Sequence, residues 1–391
     1  MKEATTLADA GYQVEVIGAW FDSSLKVRDQ ELLTRLNFQF VPVVDLVENP
    51  GLTRFSARLK RKIGELAYLR GGLENTWQLS YFTSALRQAA SRNRADLLIA
   101  HSESSMAAVA SAAADRSRLA GVDMEDWFSE DHSPNGKKYR PIHLLRTLED
   151  SLLKAKYSSC PSQAMSNALA SEFNCRPPAV IYNAFSWLER ESLVGDFKDR
   201  KDLQTPSIHW YSQTLGEGRG LEDLFAALPN LIWEVEIHLR GNPVAGFDRW
   251  LSERVPPEWL SKIFIHGLVE NHELLSRIAE HDIGFAGEMK FCRSRDLTVT
   301  NKILQYLLAG LAVVASDTKG QKEVAAQADG AVRIYRSGDP AALAKELNVL
   351  LTSPDELARS KAAALAAARE TFCWERQAPR LVEEVERAIA A

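Results

Sequence analysis

Short runs of apolar and β-branched residues alternate along the whole chain with stretches whose apolar positions recur at helical spacing. That alternation predicts parallel strands joined by crossover helices, an α/β architecture. In the first half the strands fall near Tyr12–Ile17, Phe38–Val44, Asp96–His101, Leu119–Met124, Lys156–Pro161 and Ala179–Tyr182. In the second half they fall near Ile208–Ser212, Glu234–Arg240, Ile263–His266, Ile283–Ala286, Leu311–Ala315 and Val332–Tyr335. Between Asn183 and Pro206 the period breaks down and charges cluster, so this stretch reads as a linker between two domains. The tail from Pro340 is helical and Ala-rich.

Two turns in the second half suit a phosphate. Ile303, Leu304, Leu307 and Leu308 share one face of a short helix, Thr300 or Asn301 can cap its start, and Gly310 stands where a left-handed stop is wanted. Leu311–Ala315 then reads as a buried strand, so Asn301 and Lys302 lie at a helix start on the ligand-binding edge of a parallel sheet. Backbone N–H groups and the helix dipole favour an anion there. The second turn, Gln213 to Gly220, joins a strand to a helix and holds Gly216, Gly218, Arg219 and Gly220. Glycines let a phosphate approach the backbone, and Arg219 adds a forked cation.

Three segments together resemble the nucleotide-sugar-binding half of a GT-B glycosyltransferase, in particular family 4: Ser212-Gln-Thr-Leu-Gly-Glu-Gly-Arg-Gly-Leu-Glu222, Asp282-Ile-Gly-Phe-Ala-Gly-Glu288 and Thr300-Asn-Lys-Ile-Leu-Gln-Tyr-Leu-Leu-Ala-Gly310. The similarity is clearest from Ser207 to Val324. It implies two Rossmann-like domains with parallel sheets facing across a cleft, and retaining sugar transfer without a metal or other cofactor. The expected division is residues 1–186 on the acceptor side, a linker at 187–206, and 207–373 on the donor side, with a last helix at 374–391 crossing back. The family's two glutamates, with seven residues between them, would fall on Leu297 and Gln305, neither of them acidic. Glu288 is the candidate replacement for the first, and Gln305 can still meet a ribose hydroxyl. The family's usual Arg on the Gly-rich turn is replaced by Gln213 or Thr214.

The beginning departs from the same pattern. Lys2–Ala10 reads as a helix stopped by Gly11, with Tyr12 opening a strand. The strand and glycine-rich loop that the family places before that helix are missing. The expectation is either a start further upstream or a sheet short of its central strand, with an open groove in its place.

Composition adds exclusions. A net charge of −5 offers no global field for nucleic acid. Cys160, Cys175, Cys292 and Cys373 lie far apart with no C-x-x-C, which argues against zinc and a disulfide framework and fits a cytoplasmic setting. No signal-like start or membrane-length apolar run is present. No D-x-D occurs to clamp a metal–diphosphate.

Three constellations in the first half remain. His101 ends a strand and can face the donor sugar, as the family often arranges, or simply pack against the next helix. Glu125 and Asp126 can bind acceptor hydroxyls and Trp127 can stack on a sugar, although a solvated acidic loop is the plainer alternative. In Arg54–Arg70, Phe55, Leu59, Ile63 and Leu66 form a stripe, with Arg54, Arg58, Lys60, Arg61, Lys62 and Arg70 mostly off it. Such a helix can lie on anionic lipid, or bury its stripe in the core. The expected activity is glycosyl transfer from a nucleotide sugar to a glycan or lipid-linked acceptor, with Arg219, Lys302, Glu288 and His101 at the chemistry. A nucleotide-sugar epimerase and a non-catalytic donor-binding subunit are the rivals.

Overall fold

A computed structural model describes residues 1–48, 52–114, 118–132 and 140–390. Each expected strand is present, nine of them with shifted ends and three (Ile263–His266, Ile283–Ala286 and Val332–Tyr335) with the expected bounds. They are β1 (Glu15–Trp20), β2 (Gln39–Asp45), β3 (Leu97–Ala100), β4 (Leu119–Asp123), β5 (Tyr157–Cys160) and β6 (Ala179–Val180), then β7 (Ser207–Leu215), β8 (Glu236–Pro243), β9 (Ile263–His266), β10 (Ile283–Ala286), β11 (Ala312–Ser316) and β12 (Val332–Tyr335). All their pairings are parallel. The chain forms two compact units, one of residues 1–161, 165–181 and 378–391, the other of 162–164 and 182–377.

The first unit opens with the helix Lys2–Asp9, as expected. Its strands fall into two sets: β1 with β2, and β3-β4-β5-β6. Among the described residues no strand links β1 to β3, so the sheet lacks the central member that would join the sets. The apolar residues of β1 remain only half-buried, whereas every residue of β5 is buried. One edge of β1 and one of β3 thus carry N–H and C=O groups without a ladder partner among the described strands.

The second unit is one sheet in the order β12-β11-β10-β7-β8-β9. Its first strand, β7, sits in the middle, and the chain winds outward first to one side and then to the other. That reversal makes a switch point between β7 and β10, where open α/β sheets bind ligands. Ile208, Trp210, Ile237, Leu239, Phe285 and Val314 from the sheet pack with Phe225, Phe247, Leu343 and Leu347 from helices. The helix Asn301–Ala309 buries Ile303, Leu304, Leu307 and Leu308 and ends at Gly310, whose φ of 81° is the left-handed stop.

The interior also holds four histidines. The rings of His209 and His281 stack at 4.6 Å, and His281 lies 4.6 Å from His238. His238 Nδ1 is 3.0 Å from His266 Nε2, and its Nε2 is 3.1 Å from Glu236. His266 Nδ1 lies 3.4 Å from Asp199, which also pairs with Arg240. His281 Nδ1 sits 3.2 Å from Ser207 Oγ. Burial, followed by the neighbouring Arg240 or histidines, holds His209 and His281 well below the ordinary imidazole range and His238 at about 3. These rings are neutral at physiological pH.

Candidate functional site

The candidate donor site forms at the switch point of the second unit. After β7 the chain turns through Gly216, Gly218 and Gly220, the last two at φ 79° and 83°. Gly220 has a second constraint, because a Cβ there would run into the backbone oxygen of Gly287. The turn after β7 and the turn after β10 therefore touch, which carries Glu288 to the same edge. Glu288 is fixed at both ends of its peptide: its N–H donates to Ser316 Oγ at 2.9 Å, and its C=O accepts from Ser337 Oγ at 3.2 Å.

Lys302, in the first turn of the helix Asn301–Ala309, meets Glu288 at 2.9 Å and lies 4.9 Å from the centre of the Trp210 ring. Both charged side chains are largely shielded from water, which strengthens the pair over an exposed one. Arg219 is exposed and donates to Ser212 Oγ at 3.1 Å. Each expected cation is therefore present at its own turn. Thr300 precedes the helix without a side-chain capping bond, and among the described residues its hydroxyl has no hydrogen-bond partner. Asn301 instead accepts from Asn183 Nδ2 at 3.1 Å. Among the described residues the expected side-chain cap is absent, so no capping side chain occupies the first N–H groups of this helix, which suit an anion.

Gln305 is buried, and its side-chain carbonyl accepts the Tyr211 hydroxyl. Burial, then the charge of Glu288, raises the Tyr211 phenol and keeps it a donor. Leu297 is buried and its carbonyl accepts from Ser162 Oγ at 2.6 Å.

In the first unit, the structure brings two separately expected residues together. His101 follows β3, and its Nδ1 lies 3.3 Å from Asp123 and 3.8 Å from Glu125, while Nε2 lies 3.8 Å from Glu3. Burial opposes the imidazolium, but the Asp123 hydrogen bond and the charges of Asp123, Glu3 and Glu125 raise His101 to about 9. Burial, then Asp123, raises Glu3 to about 7. Asp126 is half-buried. Trp127 is a correction: it is fully buried and its Nε1 donates to Ser129 Oγ at 3.1 Å, so it offers no face to a sugar. Ser129 is in turn held by the buried carboxylate of Glu149.

Asp123 and Glu3 were not singled out from the sequence. Asp123 ends β4 at the carboxyl edge, a signal that was available; Glu3 has none, since only the path of the first helix brings it to His101.

The basic helix runs over Leu52–Gly71. Its apolar stripe is not in the core: Phe55, Leu59, Ile63 and Leu66 are between 46% and 67% exposed, and Leu69 and Leu73 extend the row. Arg58, Lys60, Lys62 and Arg70 are exposed, whereas Arg61 pairs with Glu65 at 3.0 Å. The Arg54 side chain lies outside the described residues.

Residues 207–353 match the family described as glycosyl transferases group 1. The whole chain superposes on sucrose-phosphate synthase from Thermosynechococcus elongatus, with a TM-score of 0.68, 12% identity and coverage of 100% of this chain and 92% of that one. The chain has a GT-B glycosyltransferase fold. Alr3699/HepE of Anabaena, solved with UDP and glucose, gives a TM-score of 0.67 at 17% identity, covering 95% of this chain and 91% of that one. An α,α-trehalose-phosphate synthase (UDP-forming) from Burkholderia vietnamiensis gives 0.64 at 13% identity, covering 97% and 100%. No curated protein matches the chain in sequence. Residues 207–353 form a glycosyltransferase domain, and it contains the turns with Arg219, Glu288 and Lys302.

Proposed function

We propose that the protein is a retaining, metal-independent glycosyltransferase that moves a sugar from a nucleoside-diphosphate sugar to a hydroxyl of a glycan or lipid-linked acceptor. The observation that carries this reading is the meeting of Lys302, Glu288 and the uncapped helix start at the switch point, with Arg219 on the turn after β7. Cleaving the donor leaves charge on the diphosphate, and fixed positive potential is what lowers that barrier. Lys302, Arg219 and the N–H groups of Asn301 and its neighbours supply it. Gly216, Gly218 and Gly220 allow the diphosphate to approach, and Glu288 holds Lys302 in place and reaches the donor's sugar. By the family's pattern the acceptor hydroxyl attacks from the leaving-group face, with a phosphate oxygen taking its proton. His101, Glu125 and Asp126 stand on the acceptor-side unit.

A thermal-shift screen of UDP-, GDP- and ADP-sugars without added metal tests the reading. One base should raise the melting temperature, since ligand at 100 times its Kd stabilises by about 2.7 kcal/mol. Donor hydrolysis or transfer should then follow for the same base. If none of the three bases shifts melting, with or without Mg2+, the donor assignment fails.

In the same reading the protein is held peripherally at an anionic membrane face on the cytoplasmic side, and the exposed apolar row and basic flanks of the helix Leu52–Gly71 support it. Among the described residues no helix is long and apolar enough to cross a membrane. The exposed row from Phe55 to Leu73 would enter the headgroup layer, while Arg58, Lys60, Lys62 and Arg70 would meet anionic lipid, each contributing about 1 kcal/mol near the surface. Liposomes rich in phosphatidylglycerol should sediment the protein, and high salt should release it. Neutralising Lys60 and Lys62 or replacing Phe55 and Leu59 by serine should each reduce binding. Sedimentation indifferent to all of these would remove the helix from the reading.

A further inference from the structure

The first helix and two strand ends of the first unit bring three acids to one imidazole. Glu3 stands in the first turn of the helix Lys2–Asp9, His101 directly follows β3, and Asp123 closes β4. Because β3 and β4 pair in parallel, both end at the same edge, and the helix comes to that edge with its own acid. One ring nitrogen of His101 and one carboxylate oxygen each from Glu3 and Asp123 lie within 4.8 Å of one another. Glu125 Oε1 lies 3.8 Å from His101 Nδ1 and can supply a fourth ligand atom. Ligands at about 2.0–2.2 Å from a tetrahedral ion stand roughly 3.3–3.5 Å apart. The 3.3 Å between Asp123 and His101 Nδ1 fits that spacing, and Glu3, 3.8 Å from Nε2, has a flexible stem with which to close. Ser159 Oγ donates to Asp123 Oδ1 at 2.8 Å, which turns Oδ2 towards His101. Outer hydrogen bonds of this kind are what hold ligand carboxylates in place in metal sites. Among the described residues His101 is the only basic side chain ion-paired with Glu3, Asp123 or Glu125, so like charges crowd one partly buried spot.

We propose that Glu3, His101 and Asp123 bind a divalent transition-metal ion, Zn2+ before others, with Glu125 or a water completing a tetrahedral shell. The class of ion follows from the donor set. An imidazole among carboxylates suits Zn2+, whereas Mg2+ and Ca2+ prefer larger shells made of oxygen alone. Cysteine takes no part, so cysteine spacing is silent about this site. The side chain of Asp123 is 12% exposed and that of His101 is 43% exposed, which leaves the ion a path in from solvent. The site belongs wholly to the first unit and takes no part in the donor chemistry proposed for the second. Its action is mechanical. The first helix leads into β1, so the ion ties the β1–β2 side of the unit to the ends of β3 and β4. Those are the two sets that no described strand links.

Calorimetry on the metal-free full chain with Zn2+ tests the site. One equivalent should bind and raise the melting temperature, and a chelator should reverse the rise. Glu3→Gln, His101→Ala and Asp123→Asn should each weaken binding by roughly 100-fold or more, and Ser159→Ala by roughly 10-fold, the lower figure being that for a partner that only orients a ligand. Glu3→Gln carries the test if His101→Ala or Asp123→Asn does not fold. NMR of labelled imidazoles should show Zn2+ moving His101 before any other histidine. Co2+ should bind without the thiolate band that a cysteine ligand would add to its spectrum. Mn2+ should bind more weakly than Zn2+, and Mg2+ in large excess should not displace Zn2+. In deuterium exchange, bound Zn2+ should protect the helix Lys2–Asp9 together with β1. Undiminished affinity in folded Glu3→Gln and Asp123→Asn, a first shift at another histidine, a thiolate band with Co2+, or displacement by Mg2+ overturns the site. Exchange in the helix and β1 that is unchanged with Zn2+ bound overturns the bridging role.

Discussion

Lys302→Ala weakens nucleoside-diphosphate binding by about 1.5–3 kcal/mol, the range for hydrogen bonds to a charged group. The loss has two parts. The ammonium disappears from the helix start, and Glu288, which it neutralises at 2.9 Å, is left as an uncompensated carboxylate beside the phosphate. Adding Glu288→Gln to Lys302→Ala should therefore recover part of the affinity for the diphosphate while leaving donor turnover low. Arg219→Ala should show a loss of similar size with no such rescue, since Arg219 meets Ser212 rather than an acid. Calorimetry with UDP, GDP and ADP measures each. Undiminished affinity in both single variants, for a wild type that binds, would move the diphosphate elsewhere.

Mild acid should unfold the second unit. His209, His281 and His238 are buried neutral, and their folded-state values lie below that of the unfolded chain. Above the unfolded value of about 6.5 both states are neutral and nothing changes. As pH falls below it, the unfolded state takes up protons that the fold refuses, so stability declines by about 1.4 kcal/mol per pH unit for each such ring. The groups facing the cluster do not reverse this. Arg200 and Arg240 repel a proton, while Glu236 and Asp199 meet only His238 and His266. Denaturant melts followed by tryptophan fluorescence should show the decline beginning near pH 6.5, and His209→Phe should reduce its slope. A flat profile down to pH 4.5 would mean that water or a rearranged network receives the protons.

Legibility in the sequence followed the range of the interaction. The helix Asn301–Ala309 was readable because its apolar stripe and its glycine stop are written within ten adjacent residues. Lys302 and Arg219 followed from it, since a helix start and a Gly-rich turn are local features. The Lys302–Glu288 contact was only half readable, because it depends on two turns touching at Gly220 and Gly287. The histidine cluster was not readable at all. His209 and His238 become neighbours through the β7–β8 register, and no spacing along the chain announces it. Trp127 shows the opposite failure: an aromatic after a strand looks like a sugar platform until Ser129 and Glu149 are seen to hold it inside.

The divided sheet of the first unit has a consequence for how that unit opens. In a continuous sheet the ladder couples every strand, so amide protons deep in the sheet exchange only when the whole domain unfolds. Here β1 and β2 share a ladder only with each other among the described strands. A two-stranded pair is marginal alone and depends on the helices packed against it. Its amides, from Glu15 to Asp45, should therefore report a separate and cheaper opening than those of β4 and β5, and deuterium should enter them first. Flexibility in the first unit is then concentrated in one layer, while the strands that carry Asp123 and Ser159 stay closed beside it.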